Sequence, residues 1–231
     1  MRINKFIAHS GFSSRRKADE LIKEKRVKVN GKIVEDFSLD VNSSDIVLVD
    51  DKRISDEEKV YYMLNKPVGY ISSNYDPHNK KRVIDLINTK KRIYPVGRLD
   101  KDSKGLIFLT NDGEITNLIT HPANKIDKEY IVRVDRRLTE DEIFEFKNGI
   151  KLEEKTTEKC SITLLNSKKF IYKVIIHEGL NRQIRRMFEY FNVKVKVLKR
   201  VKIGEISLDN LQEGKYRKLN SKELEYLRSL K

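Results

Sequence analysis

The stretch Pro95-Val96-Gly97-Arg98-Leu99-Asp100-Lys101-Asp102-Ser103-Lys104-Gly105-Leu106-Ile107-Phe108-Leu109-Thr110 runs from a charged loop into an apolar strand. The loop places one carboxylate, Asp100, after Gly97 and among the cations Arg98, Lys101 and Lys104. We interpret Asp100 as a lone acid in a basic cleft, which predicts chemistry performed by a single aspartate on a polyanionic substrate. The alternative is that Asp100 only caps a tight turn, a frequent role of aspartate.

The overall composition favours a nucleic-acid partner. The 231 residues include 49 Lys and Arg against 35 Asp and Glu, and this net charge of +14 is typical of proteins that bind nucleic acid or an anionic membrane. No apolar run approaches the roughly 18 residues that span a bilayer, and the opening Met-Arg-Ile-Asn-Lys lacks a secretory signal. The single cysteine, Cys160, is interpreted as a small buried hydrophobe. We expect a cytoplasmic protein with no membrane partner.

The distribution of charge predicts two domains. Residues 1–32 carry ten Lys and Arg against three Asp and Glu, whereas residues 33–59 carry three against nine. A new strand pattern then begins at Val60-Tyr61-Tyr62-Met63-Leu64. We therefore predict a small domain over 1–60 and a larger domain over 61–231.

The small domain reads as two short helices followed by a β-hairpin. Ile3, Phe6 and Ile7 form a helical apolar stripe that ends at Ser10-Gly11, and a second stripe contains Ala18, Leu21 and Ile22. Ser13 or Ser14 can cap the second helix. The dipeptide Asn30-Gly31 lies between 27–29 and 32–34 and predicts a type I′ turn.

Three segments of this domain resemble the S4 RNA-binding domain. They are Arg2–Ile7, the run Gly-Phe-Ser-Ser-Arg-Arg-Lys-Ala-Asp over 11–19, and Val-Lys-Val-Asn-Gly-Lys over 27–32. The resemblance implies a unit that recognises the shape and phosphates of structured RNA. The residues expected to contact RNA are Lys5, Arg15, Arg16, Lys17 and Lys28. The plainer alternative is a solvated cationic helix face.

The larger domain mixes strands with helices without a regular alternation. Strand patterns cover 61–64, 106–110, 129–134, 170–176 and 194–198, and helical patterns cover 83–87, 114–119, 140–149 and 181–191. This irregular order predicts an α+β fold with a mostly antiparallel mixed sheet.

The familiar motifs of metal, nucleotide and hydrolase chemistry are missing from the sequence. It contains no phosphate-binding loop, no dinucleotide-binding glycine motif and no serine elbow. His9, His78, His121 and His177 are not spaced as zinc ligands. We expect no metal site and no cofactor.

A second cationic element is Glu178-Gly179-Leu180-Asn181-Arg182-Gln183-Ile184-Arg185-Arg186-Met187. Helical spacing places Ile184, Met187, Phe188 and Phe191 on its buried face and the arginines on or beside the other face. Arginines at the start of a helix favour recognition of phosphate or carboxylate, because the guanidinium pairs in bidentate fashion. Tyr130, at the start of a strand, reads either as a core aromatic or as a site residue.

These elements together resemble the RsuA/RluB/RluE/RluF family of ribosomal RNA pseudouridine synthases. The matching segments are Asn65–Gly69, Pro95–Asp112, Lys128–Tyr130 and Glu178–Met187, in the family's order and spacing. The run Gly-Leu-Asn-Arg-Gln-Ile-Arg-Arg-Met resembles the RluF branch most. The resemblance implies a small S4-like α/β domain followed by a pseudouridine synthase domain.

The resemblance also implies the reaction and its residues. A specific uridine of 23S ribosomal RNA would be flipped out and isomerised with a single catalytic Asp and no cofactor, and tRNA is a possible further target. Asp100 matches the catalytic aspartate and Tyr130 the active-site tyrosine, while Arg185 is the candidate cation that keeps Asp100 ionised. Arg98, Arg182 and Arg186 are expected to bind RNA.

The expected partner is structured RNA, with the chain acting as a monomer without an obligatory protein partner. Two alternatives remain: a non-catalytic S4-type ribosome-assembly or nucleic-acid-binding protein, and the same reaction at a different ribosomal site, as in RluB or RsuA. The sequence does not separate nucleophilic attack by Asp100 from a glycal mechanism.

Overall fold

The first sixty residues form two helices and a four-stranded antiparallel sheet in the computed structural model, which describes residues 1–42, 44–74 and 81–230. The elements are α1 (Ile3–His9), α2 (Arg15–Lys23), β1 (Val27–Val29), β2 (Lys32–Ile33), β3 (Val47–Val49) and β4 (Lys52–Ile54), with strand order β2-β1-β3-β4. Of the two predicted caps, Ser14 is the one used, since its side chain accepts a hydrogen bond from Lys17 N. Asn30 and Gly31 both have positive φ, as the predicted type I′ turn requires.

The core of this unit consists of the two predicted helical stripes packed on the sheet. Ile3, Ile7, Ala18, Leu21 and Ile22 are all buried there, and Phe6 packs against the cluster. The short segments Thr89–Ile93 and Asn111–Gly113 group with Met1–Val60, and the rest of the chain forms a second unit. The predicted division of the chain at residue 60 stays a prediction.

The second unit is built on a mixed sheet with helices. Its strands are β5 (Tyr61–Lys66), β6 (Tyr94–Val96), β7 (Lys104–Thr110), β8 (Lys128–Val134), β9 (Ser161–Asn166), β10 (Ile171–Ile176), β11 (Val195–Ile203), β12 (Ile206–Ser207) and β13 (Tyr216–Lys218). Its helices are α3 (Gly113–Thr120), α4 (Glu140–Asn148), α5 (Gln183–Tyr190) and α6 (Ser221–Ser229), with 3-10 turns at Val83–Leu86 and Pro122–Asn124. The strand order is β13-β5-β7-β11-β8-β10-β9, with β12 beside β11 and β6 beside β7. Only β7 and β11 pair in parallel among the described strands, so the predicted α+β fold with a mostly antiparallel sheet is confirmed.

The helix predicted over 83–87 is wrong: this segment is a single 3-10 turn. The Arg82 backbone N–H donates to the Asp85 carboxylate, which closes the turn, and Ile87 then takes extended backbone angles. The described helices include none with the length and apolar character needed to cross a bilayer.

The parallel pair of β7 and β11 depends on one glycine. Gly105 has φ +108° and pairs with Arg200, and a Cβ at Gly105 would lie 2.1 Å from the Arg200 carbonyl oxygen. The close approach therefore requires the absence of a side chain. It brings β11 to the strand that follows the Asp100 loop.

Candidate active site

A cavity of about 300 Å³ lies in the second unit and gathers residues that are distant in sequence. It is lined by the loop Val96–Asp100, by Tyr130 of β8, by residues 176–184 and by Arg200 of β11. Of the predicted site residues, Asp100, Tyr130, Arg98 and Arg182 line the cavity, whereas Arg185 and Arg186 do not.

The backbone on both sides of Asp100 is fixed by hydrogen bonds. Lys66 Nζ donates to the carbonyl oxygens of Asp100 at 2.9 Å and Ser103 at 2.6 Å. Ser72 Oγ donates to Leu99 O at 2.9 Å and accepts from Leu99 N at 3.1 Å. The Asp100 side chain keeps about 30% exposure. The loop is rigid while its carboxylate remains accessible from the cavity.

Lys66 is fully buried beneath this loop. Burial lowers its pKa to about 8, although the charges of Asp100 and Asp102 act in the opposite direction. The backbone carbonyls that it contacts replace the water it has lost, which is the usual requirement for a buried ammonium.

Arg182 forms an ion pair with the Asp100 carboxylate, and the Asp100 charge also acts on Arg185, the predicted cation. Arg182 Nη1 lies 3.7 Å from Asp100 Oδ2 and 3.2 Å from Asp102 Oδ1. Arg185 instead donates to Asp102 O at 3.0 Å and to Ser103 Oγ at 3.3 Å. Arg182 has φ +48° and precedes the regular part of α5. The direction of its side chain therefore does not follow the helical spacing.

Asp102 is a second carboxylate beside Asp100, so the interpretation of Asp100 as a lone acid is wrong. The Asp102 carboxylate contacts both Arg182 and Arg185, the latter at 3.3 Å. Burial acts to raise its pKa, but the hydrogen bond from Arg182 and the charges of both arginines outweigh burial and lower the pKa. The carboxylates of Asp100 and Asp102 and the guanidinium groups of Arg182 and Arg185 therefore form one charged cluster beside the cavity.

Gln183 and Glu178 fix the start of α5. The buried Glu178 Oε1 accepts from Gln183 Nε2 at 2.5 Å and from Glu158 N at 2.9 Å. Gln183 Oε1 accepts from Leu180 N at 3.1 Å. These bonds hold the turn that carries Arg182, a role for Gln183 and Glu178 that sequence reasoning missed.

Tyr130 and Arg200 form the floor of the cavity. They are register partners across β8 and β11, so their side chains extend from the same face of the sheet. Tyr130 is 7% exposed and Arg200 4%. Lys128, also in the lining, donates to Ile126 O and His177 O, and burial lowers its pKa to about 8.

Several residues predicted to bind RNA are engaged with carboxylates in the structure. Arg186 forms a bidentate pair with Glu154 at 2.6 and 2.5 Å, and its hydrogen bond lowers the Glu154 pKa to about 2. Lys17 pairs with Glu20 at 2.8 Å and Lys28 with Asp51 at 2.7 Å. Arg15, Arg16 and Arg98 are exposed, and Lys5 is half-buried. RNA would have to compete with the carboxylates for the paired cations.

Cys160 and the histidines that the structure describes do not form a second centre. Burial raises the Cys160 pKa to about 12, which opposes thiolate formation. Within residues 1–42, 44–74 and 81–230, no three His, Cys, Asp or Glu side chains are grouped as metal ligands. His78 lies outside the described residues.

Comparison with protein-family models gives two matches. The model described as RNA pseudouridylate synthase matches residues 60–190, and the S4 domain model matches residues 1–47. The first covers the Asp100 loop, Tyr130 and the whole of α5.

Individual relatives extend these matches over nearly the whole chain. Ribosomal large subunit pseudouridine synthase B of Bacillus subtilis (strain 168) is 44% identical over 99% of this chain and 96% of its own length. The dual-specificity RNA pseudouridine synthase RluF of Escherichia coli (strain K12) is 40% identical over 97% of this chain and 77% of its own length. A crystal structure of a pseudouridylate synthase superposes with a TM-score of 0.72 at 33% identity, covering 98% of this chain and 99% of that one.

Proposed function

Because the chain belongs to the family of RNA pseudouridylate synthases and carries an S4 domain, we propose that it isomerises a specific uridine of 23S ribosomal RNA to pseudouridine. The family resemblance in the sequence is thereby confirmed. Identities of 44% to a large-subunit synthase B and 40% to RluF do not favour the RluF branch over the B type. The large-subunit name of the first relative supports the ribosomal substrate, and the dual-specificity name of the second supports a further RNA target, for which we propose tRNA.

One observation carries the proposal: Asp100 and Tyr130 line the same cavity, with Arg182 Nη1 3.7 Å from the Asp100 carboxylate. Pseudouridine formation breaks the C1′–N1 bond of the nucleotide, rotates the base and joins C1′ to C5. C5 loses a proton and N1 gains one, so the product is an isomer and no co-reactant is consumed. The reaction needs one accessible carboxylate and a closed space that retains the base.

We assign Asp100 as the catalytic residue that meets the ribose. Its carboxylate either attacks C1′ or removes the 2′ proton, and both routes need the ionised form. We propose that the Tyr130 ring stacks on the extruded uracil and that Tyr130 assists loss of the C5 proton; its position in the cavity lining supports this role. Arg185 has a supporting role, because it donates hydrogen bonds to Asp102 O and Ser103 Oγ in the segment that follows Asp100.

The S4 domain and the cations near the cavity would supply RNA affinity. Extruding a base costs a few kcal/mol of unstacking, which phosphate contacts must offset. We propose Lys5, Arg15, Arg16, Lys17 and Lys28 for the S4 domain, and Arg98, Arg182 and Arg186 for the synthase domain. We further propose that the enzyme works in the cytoplasm as a monomer, without an obligatory protein partner.

The test is tritium release from ribosomal RNA labelled at uridine C5. Wild type and the control Asp141→Asn, which neutralises an exposed aspartate of α4, should release tritium at equal rates, whereas Asp100→Asn should release none. The same RNA is then mapped to find the modified nucleotide. Equal release by Asp100→Asn and wild type would contradict the assignment. RNA binding without release by wild type would favour the non-catalytic S4-type alternative.

A second experiment separates the two arginines. We expect Arg185→Ala to lose most of its turnover with only a modest loss of RNA affinity, because its contacts are to the catalytic loop. Arg182→Ala should lose turnover as well, since it removes the ion-pair partner of the Asp100 carboxylate. The control is Arg228→Ala, an exposed position on α6. Full turnover in Arg185→Ala would show that Arg185 is not needed for catalysis and would leave Arg182 as the arginine that serves Asp100.

A further inference from the structure

Arg200 is a buried cation whose hydrogen bonding is incomplete. Its Nε donates to Leu106 O at 2.7 Å, but its Nη2 is buried and has no partner among the described residues. No carboxylate in the described part of the chain forms an ion pair with it. A buried guanidinium normally has its donors paired, because burial removes the water that would otherwise accept from them.

The position of Arg200 links the unpaired donor to the cavity. Arg200 lines the cavity and lies opposite Tyr130 in the strand register, so the two side chains share one face of the sheet. Its other neighbour in the sheet is Gly105, five residues after Asp100. A planar base stacked on Tyr130 would therefore present its edge close to the Arg200 guanidinium.

The surroundings of Arg200 are positively charged. Its charge lowers the pKa of both Lys66 and Lys128, which places all three cations within electrostatic reach of one another. Lys66 and Lys128 donate to backbone carbonyls, whereas Arg200 retains a donor without a partner. This side of the cavity thus suits a group that is an acceptor and gains negative charge.

We propose that the Arg200 guanidinium donates a hydrogen bond to a carbonyl oxygen of the extruded uracil and stabilises the charge formed when the base leaves the ribose. The inference rests on the proposed function. When the C1′–N1 bond breaks, its electron pair stays on the base and is shared among N1, O2 and O4. The pair used in the new C5–C1′ bond comes from the same base, C5 releases its proton and N1 takes one up. A preorganised donor at O2 or O4 lowers the energy of this charged species.

The test combines an enzyme variant with substituted substrates. RNA containing the mapped target is prepared with uridine, 2-thiouridine or 4-thiouridine at that position, since sulfur accepts hydrogen bonds more weakly than oxygen. Single-turnover rates and RNA affinities are measured for wild type, Arg200→Met and the matched control Arg133→Met, which replaces an exposed arginine of β8. Circular dichroism and urea unfolding establish that each variant is folded.

We expect Arg200→Met to convert the uridine substrate about 100-fold more slowly, the loss typical of one oxyanion donor, with little change in RNA affinity. One of the two thio substrates should slow wild type and the Arg133→Met control but should not slow Arg200→Met further. That substrate identifies O2 or O4 as the contacted oxygen. Such coupling would not arise from a purely structural role of Arg200.

Three outcomes would overturn the inference. The first is a folded Arg200→Met whose rate matches wild type, and the second is a thio effect of equal size in wild type and Arg200→Met. Arg200→Gln, which removes the charge and shortens the side chain, is tested in the same way should the Met variant fail to fold. The third is a wild type that forms no pseudouridine, which would overturn the proposed function as well. If wild type forms pseudouridine and Asp100→Asn does not, the proposed function holds regardless of the result for the Arg200 variants.

Discussion

Replacing Gly105 by alanine is expected to separate the strands that hold the two sides of the cavity. A Cβ at this position would lie 2.1 Å from Arg200 O and 2.7 Å from Arg200 N, and both are backbone atoms that cannot rotate away. Since real Cβ contacts stay beyond 3.0 Å, the parallel pair of β7 and β11 would have to open by about 1 Å. The registered partners in that pair are Lys104 with Lys199 and Gly105 with Arg200.

Two separate effects are expected to lower the free energy of unfolding of Gly105→Ala. The positive φ of +108° adds about 1–2 kcal/mol of strain for any residue with a Cβ. Weakening a buried strand hydrogen bond adds about 1–3 kcal/mol for the group left unpaired. The sum is about 2–5 kcal/mol, a large part of the roughly 5–15 kcal/mol that stabilises a typical domain.

Urea unfolding followed by circular dichroism measures this cost. The matched control is Gly214→Ala, where φ is +81° but no atom lies within 4 Å of the added Cβ, so only the strain of about 1–2 kcal/mol should appear. Gly105→Ala should also lose pseudouridine formation, because Arg200 and the Asp100 loop would move apart. Equal destabilisation by the two variants would refute the proposed clash, and full activity in Gly105→Ala would refute its link to the site.

Three further predictions follow from buried or paired groups. Asp102→Asn should lower kcat about tenfold, equivalent to about 1.4 kcal/mol, and should leave KM within about threefold of wild type, because Arg182 loses a carboxylate partner. Steady-state kinetics measure both constants. An unchanged kcat would contradict this role of Asp102. Burial lowers the pKa of Lys66 from 10.5 to about 8. Between these pH values the unfolded chain binds more protons at Lys66 than the folded chain does. The Lys66 contribution to wild-type stability should therefore rise with pH, by up to about 3 kcal/mol. In Lys66→Met the free energy of unfolding, measured in urea, should rise less between pH 8 and pH 10 than in wild type. Parallel curves of unfolding free energy against pH for the two proteins would contradict this prediction. Cys160, with its pKa raised to about 12, should resist iodoacetamide at pH 8 in the folded protein and react in urea, as mass spectrometry would show.

The elements that sequence predicts correctly are those fixed by neighbouring residues. The hairpin at Asn30-Gly31 forms because both residues tolerate positive φ. In α5 the spacing of Ile184, Met187 and Phe188 identifies the buried face, and all three are at most 3% exposed. The C-terminal helix α6 was missed although Asn220 and Glu223 cap each other reciprocally, a signal present in the sequence.

The features that sequence reasoning missed depend on the backbone path or on long-range pairing. Arg182 has φ +48° and precedes the regular turns of α5, so helical spacing does not predict its ion pair with Asp100. In β11 the three lysines Lys196, Lys199 and Lys202 lie close to Arg200 in sequence, so nothing in the segment distinguishes Arg200 as the buried cation. Only the pairing with Gly105 on one side and Tyr130 on the other places it under the cavity.

The presence of Asp102 changes how the charge at the site is balanced. A single carboxylate facing Arg182 and Arg185 would leave an excess positive charge beside Asp100, and a strong ion pair would hold Asp100 away from its substrate. Asp102 contacts both arginines at 3.2–3.3 Å, whereas Arg182 stands 3.7 Å from Asp100. The second acid thus takes the shorter contacts and orients the guanidinium groups. Asp100 therefore keeps a neighbouring positive charge while its oxygens remain available to the ribose.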